Sequence, residues 1–182
     1  MWGPRPLDTV EQANQQLDVL VSLLEGRGIR VDRPTPIQWN QAVITPDFTN
    51  QSMFGCMPPR DVLLTVGKEI LSAPMSFRCR FWEYLAYHPL MQRYFDEDPA
   101  FRWEQAPRPR LTNDSYQVGY FEEITIEERL KRTAALDFVT TEEEPLFDAA
   151  DVLRIGRDFF SQHALSTNRR ALAWLQRHSP HH

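Results

Sequence analysis

Leu63-Leu64-Thr65-Val66-Gly67-Lys68-Glu69-Ile70-Leu71-Ser72 and Val152-Leu153-Arg154-Ile155-Gly156-Arg157-Asp158-Phe159-Phe160-Ser161 are one pattern written twice, 89 residues apart. Nearly every aligned pair is identical or similar. In each copy an aliphatic run leads into a glycine that can take positive φ, a basic residue follows, and a second run resumes, which is the signature of a tight β-hairpin. A helical stretch follows each hairpin, the second from Thr167 to Arg177 with Leu172 and Leu175 on one face, and a short strand is expected at Arg102 to Gln105. The unit is therefore strand, strand, helix, strand, and the fold class is α/β. One such unit cannot bury its own face and needs neighbours. Residues 9–33 read as the end of a preceding unit, 61–105 as a second unit, 106–145 as an insertion, and 148–178 as a third unit that stops before its closing strand. The expectation is a single partial domain over 1–182 that begins and ends mid-unit.

Outward from the hairpins, Val10, Ala13, Leu17, Leu20, Val21 and Leu24 lie on one helical stripe that Thr9 can cap and that Gly26 and Gly28 end. Ile29 to Arg33 alternates apolar and charged residues before Pro34, as an exposed strand does. From Thr35 to Pro59 no period is clean, and a long ordered loop is expected. Ser76 can cap a helix carrying Phe77, Phe81, Tyr84, Leu85 and Tyr87, with Pro89 as a kink or a fresh start, and a short helix is expected near Ile126 to Ala135.

Composition narrows the function. The 182 residues are 42% hydrophobic and 25% charged, with a net charge of −5, so no basic field covers the molecule to draw nucleic acid or anionic lipid. No apolar run approaches the ~20 residues of a membrane span, and Met-Trp-Gly-Pro-Arg-Pro opens no signal peptide, so a cytoplasmic protein is expected. Two cysteines, Cys56 and Cys79, are too few for a disulfide framework, and histidines at ligand spacing are absent, so neither a metal nor a cofactor is expected.

The chain resembles the arginine-dependent amidinotransferases, the family of glycine amidinotransferase and inosamine-phosphate amidinotransferase. The stretches that carry the resemblance run in one order along almost the whole chain: Val31-Asp32-Arg33-Pro34, Thr45-Pro46-Asp47-Phe48, Met57 to Asp61, the first hairpin, Ala73-Pro74-Met75, Arg78-Cys79-Arg80-Phe81, Ala106-Pro107-Arg108-Pro109, and Phe138 to Gln162. The resemblance implies the pentein-like α/β propeller of five ββαβ units, of which this chain holds about two. It also implies transfer of an amidino group from L-arginine to an acceptor amine such as glycine through a covalent amidino-cysteine. Asp148 matches the family's catalytic aspartate and Asp61 the aspartate that holds the guanidino group. Carboxylates suit that task because they accept in the plane of a guanidinium with five donors.

The departures matter as much. The family's histidine lies in a His-x-Asp segment and its nucleophile in a Gly-Phe-His-Cys segment, and neither occurs here; His178, His181 and His182 have no aspartate two residues on. No nucleophile or general acid is assigned, and the chain alone is expected to be inactive. The expected partners are small molecules, with no nucleic acid and no membrane, and association as a homo-oligomer or through open sheet edges. The alternatives are a non-catalytic guanidino-binding or partner-dependent fragment, and a guanidine-modifying hydrolase resembling arginine deiminase.

Other polar residues take plainer readings. Cys56 lacks a neighbouring histidine to lower its pKa, and Cys79, between Arg78 and Arg80, reads as a small buried residue. His88 and His163 lack ligand-spaced partners, and Asp151 ranks second to Asp148. Arg102, Arg108, Arg110 and Glu142 to Glu144 read as solvated, and Trp82, Tyr84, Tyr87, Tyr94 and Phe95 as core and interface.

Overall fold

Gly67 and Gly156 each stand at the first central position of a two-residue turn, with φ of +58° and +62°. A side chain is disfavoured there and glycine is not, so each turn closes the hairpin that the sequence predicts. The computed structural model describes residues 5–56, 58–122 and 124–181. Positions 1–4, 57, 123 and 182 lie outside them, including Met57 of the matched stretch and His182 of the tail.

The chain divides at Pro34 and Thr35 into two compact units. The first holds α1 (Leu7–Glu25), which begins after Pro6 with no side-chain cap, so Thr9 lies inside the helix and does not cap it, and Asp8 accepts from the Thr9 backbone at 2.8 Å. None of its residues is buried. Ile29 to Arg33 is not a strand, because no strand among the described residues pairs with it; instead Arg30 bonds Asp32 at 2.9 Å and Arg33 bonds Asp18 at 2.6 Å.

In the second unit the long loop forms a small ladder, β1 (Val43–Ile44) against β2 (Thr49–Asn50). The Thr45 hydroxyl closes its turn by accepting from the Phe48 backbone at 3.0 Å. A single helical turn, α2 (Pro59–Val62), then leads into β3 (Leu63–Val66), which pairs antiparallel with β4 (Glu69–Ser72). Two short 3₁₀ turns follow, Arg78–Arg80 and Glu83–Ala86, before α3 (His88–Glu97). This corrects the helix expected from Ser76, whose hydroxyl caps nothing and donates to the Ser166 carbonyl. Aromatic residues at 81, 82 and 84 are indifferent helix formers, and Arg80, the last residue of the first 3₁₀ turn, pairs with Glu83, the first residue of the second. Pro89 is tolerated in the first turn of α3.

After α3 the strand β5 (Arg102–Gln105) pairs parallel to β4, from Glu69 opposite Arg102 to Ser72 opposite Gln105. Parallel neighbours need such a crossover. Helix α4 (Ile126–Ala134) starts at Thr125, whose side chain accepts from the Glu128 backbone. The second hairpin, β6 (Val152–Ile155) with β7 (Asp158–Ser161), reproduces the first pair by pair: Val152 faces Ser161 as Leu63 faces Ser72. Helix α5 (Arg169–His178) is capped by fully buried Asn168. That side chain accepts from Ala171 at 2.9 Å and donates to the Thr141 and Glu144 carbonyls at 2.7 Å each.

The two repeats share one core. Val62, Leu64, Leu71, Met75 and Tyr87 of the first meet Phe147, Val152, Ala171 and Leu175 of the second. Equivalent first strands also touch, with Arg154 donating to the Thr65 carbonyl at 2.5 Å from the matching position of the other hairpin. A second core gathers Val43, Phe48, Met53, Phe81, Leu111 and Leu146. Leu111 is fully buried at φ +53°, and Glu144 fixes it there: its carboxylate accepts from the backbones of Arg110 and Leu111 at 2.7 and 2.8 Å and from the Ser115 hydroxyl at 2.7 Å. Glu144 is thus no solvated side chain; Glu142 is exposed but accepts from the backbones of Arg169 and Arg170 at 3.2 and 2.8 Å, and Glu143 is exposed. The sheets among the described residues have two, three and two strands, and none closes on itself. No helix among the described residues is long and apolar enough to cross a membrane.

Candidate functional site

Each hairpin is entered through a single helical turn, and each of those turns carries an aspartate to the start of a first strand. Asp61 belongs to α2, just before β3, and Asp148 is the N-cap of the 3₁₀ turn Ala149–Asp151, just before β6. The turns are neighbours, with Arg60 donating to the Ala150 carbonyl at 3.1 Å.

Arg80 joins the two aspartates. Its Nη1 donates to Asp148 Oδ2 at 2.8 Å and its Nη2 to Asp61 Oδ2 at 2.9 Å. Glu83 holds the same guanidinium from the other edge, accepting from Nε at 2.9 Å and from Nη2 at 2.8 Å. This is the bidentate fork that arginine offers a carboxylate. Glu83 has no exposure at all, and the side chains of Asp148, Arg80 and Asp61 are 9%, 14% and 19% exposed. Neither Arg80 nor Glu83 follows from the sequence reading; the available signal is an acid three residues after a basic residue inside an aromatic stretch.

One guanidinium against three carboxylates leaves the cluster electron-rich and poorly solvated. Burial pushes the Asp148 carboxyl up to about 7, the negative charges of Asp61, Asp151 and Glu83 add to the rise, and Arg80 opposes it. Burial also raises Glu83, against the pull of Arg80. Burial works against the charge on Arg80 itself, but Glu83, Asp148 and Asp61 outweigh it and hold the guanidinium firmly charged. The Oδ1 of Asp148 is buried and has no hydrogen-bond partner among the described residues. A buried carboxylate oxygen without a donor is costly unless something fills the place.

The other candidates separate from this cluster. Asp151 is consumed structurally, accepting from the hydroxyls of Ser166 at 2.8 Å and Thr167 at 2.6 Å. Burial raises both thiols, and at Cys79 the Glu83 charge raises it further in spite of Arg80, so neither is held as a thiolate. His88 packs edge-on against Trp103 and His163 against Phe138. His178 stacks on Trp174 and meets Glu69 at 2.7 Å. Arg108, expected to be solvated, lies over the rings of Phe81 at 4.1 Å, Tyr84 at 4.5 Å and Trp82 at 5.2 Å. Arg110 is exposed and pairs with Asp47. A groove of about 490 Å³ between the hairpins is lined by Leu63, Leu64, Val152 and Arg154 and includes neither aspartate. No group of three metal-ligating side chains gathers among the described residues.

Comparison with known proteins agrees with the resemblance. The chain is 43% identical over 173 residues to the mitochondrial glycine amidinotransferase of Xenopus laevis, covering 95% of this chain and 40% of that protein. It is 35% identical over 175 residues to the L-arginine:L-lysine amidinotransferase of Pseudomonas savastanoi pv. phaseolicola, covering 96% of this chain and 46% of that one. Among solved structures it superimposes on SxtG, an amidinotransferase of the saxitoxin biosynthetic pathway from Microseira wollei, with a TM-score of 0.83, 36% identity, and coverage of 97% and 48%. The inosamine-phosphate amidinotransferase of Streptomyces griseus gives 0.75, 36%, and coverage of 95% and 45%. No protein-family model matches the chain. The chain is therefore a homologue of the amidinotransferases, and it spans about half the length of those it matches.

Proposed function

We propose that this chain is part of an amidinotransferase in which Asp61 holds the guanidino group of L-arginine and Asp148 serves the chemical step. The observation that carries the reading is the buried, unpartnered Oδ1 of Asp148 beside Asp61 on a shared guanidinium. In the reaction a thiolate attacks the guanidino carbon and the bond from that carbon to Nε of arginine breaks. A proton goes to that nitrogen, so ornithine leaves and an amidino-cysteine remains. An acceptor amine such as glycine then attacks the same carbon, loses a proton and expels the thiolate. The carboxylates align the guanidino plane and stabilise its charge. The His-x-Asp and Gly-Phe-His-Cys segments that carry the family's histidine and nucleophile are not among these 182 residues, so in this reading the chain as it stands binds without turning over. The two hairpin units, with residues 9–33 before them and 106–145 between them, are in this reading successive blades of an α/β propeller.

The second reading, a guanidino-binding chain without chemistry, is favoured by the two thiols, both raised by burial. A cytoplasmic setting and association through open strand edges belong to the first reading, and cell fractionation and light scattering test them. The direct test uses L-arginine labelled in the guanidino carbon, mixed with the purified chain and glycine. Saturable binding without transfer is the expected result. Absence of binding removes the guanidino site, and transfer by the chain alone overturns the statement that the reacting groups lie outside it.

A further inference from the structure

Four of the five N–H donors of Arg80 are spoken for. Two form the fork with fully buried Glu83, one goes to Asp61 and one to Asp148. The division of labour is asymmetric. The fork fixes the plane of the guanidinium from within its own chain segment, and the remaining donors reach across 19 and 68 residues to the aspartates of two different repeats. Arg80 engages the Oδ2 of each aspartate, and the Oδ1 of Asp148 has no hydrogen-bond partner among the described residues.

We infer that Arg80 is the positioning residue of this site: locked by Glu83, it fixes the spacing of Asp61 and Asp148 on adjacent nitrogens and leaves the second oxygen of Asp148 for an incoming guanidino group. The inference rests on the guanidino-binding reading above and adds the device that pre-organises it. A lysine cannot do this, because a point charge with no planar fork has no fixed direction in which to hold two carboxylates while satisfying a third. The charge of Arg80 also opposes the burial, Asp61, Asp151 and Glu83 that raise the Asp148 carboxyl, so positioning and ionisation are coupled through one side chain.

The test follows the carboxyl carbons of Asp61 and Asp148 by NMR in the full chain, during a pH titration and during addition of methylguanidinium. Two variants keep the test open should one fail to fold: Arg80→Lys, which preserves the charge against Glu83, and Arg80→Gln combined with Glu83→Gln, which removes charge and counter-charge together. In the charge-free pair the titration midpoint of Asp148 rises, because the loss of the Arg80 charge outweighs the loss of the smaller opposing charge of Glu83, by less than the about one to three pH units that an opposite charge in contact commands. In both variants methylguanidinium affinity falls about tenfold or more. An Asp148 midpoint unchanged in the charge-free pair, with affinity retained in both variants, overturns the inference and leaves Arg80 a structural residue only. Affinity that rises in the variants makes Arg80 a competitor for the site and overturns it equally. An unaltered chain that binds no methylguanidinium, while the Asp148 midpoint still moves in the charge-free pair, fails the guanidino reading and leaves Arg80's hold on Asp148 intact.

Discussion

Nη1 of Arg80 donates to Oδ2 of Asp148 at 2.8 Å, and this one bond ties the segment after the first hairpin to the entrance of the second. It is shielded, since the two side chains are 14% and 9% exposed, and it depends on a third group, Glu83, that water does not reach. Arg80→Met strips Glu83 of its counter-charge. Removing one member of a buried ionic group costs about 3–5 kcal/mol, which for a chain of this size lowers Tm by roughly 10 °C. Thermal unfolding checks this, and Arg80→Met with Glu83→Leu recovers a large part of the loss because no lone charge remains.

The stability of the chain also carries the imprint of Asp148. Its folded carboxyl titrates at about 7, above the usual carboxylate range, so between about pH 4 and 7 the folded state binds more protons than the unfolded one. The stabilisation from this group is present at the acid end of that window and is lost as pH rises through 7. Asp148→Asn removes the contribution. Urea unfolding of both proteins across the window gives a difference in stability that changes by at most ~1.4 kcal/mol per pH unit, and a pH-independent difference contradicts the account.

The hairpin turns make a local prediction. A Cβ on Gly67 meets nothing within 4 Å, so Gly67→Ala is opposed by backbone conformation alone, at φ +58°. The cost is about 1–2 kcal/mol, and Gly67→Asn costs less because asparagine tolerates that region. Denaturant midpoints of the two variants order accordingly.

Glu144 and Glu143 are neighbours with opposite consequences. Glu144→Ala removes the acceptor for Arg110, Leu111 and Ser115 and frees the strained Leu111 backbone, which costs at least ~1.5–3 kcal/mol. Glu143→Ala, with an exposed side chain, stays within about 0.5 kcal/mol of the unaltered chain. Equilibrium unfolding of the pair decides it.

What could be read from the sequence divides along the range of the interactions involved. The hairpins were legible because strand pattern and turn glycine act within ten residues, and the registers of Leu63 with Ser72 and Val152 with Ser161 follow from them. The roles expected of Asp61 and Asp148 rest on the family resemblance, since nothing local distinguishes them from turn-capping aspartates. Arg80, Glu144 and Arg108 take their meaning from partners elsewhere in the fold, and no periodicity reports that, while Glu83 takes its role from Arg80 three residues before it. The segment 76–87 departs from its helical pattern because aromatics at three- and four-residue spacing imitate an α-helix, while the chain forms two separate 3₁₀ turns bridged by the ion pair of Arg80 with Glu83.

The account's central claim is that Asp61 and Asp148 together receive a guanidino group. Isothermal titration of the full chain with L-arginine at pH 8, where Asp148 is mostly ionised, tests it most directly. The account predicts weak, saturable binding that disappears in Asp148→Asn and in Asp61→Asn while Asp151→Asn retains it. Binding that survives loss of both aspartates, or no binding by the unaltered chain, contradicts it.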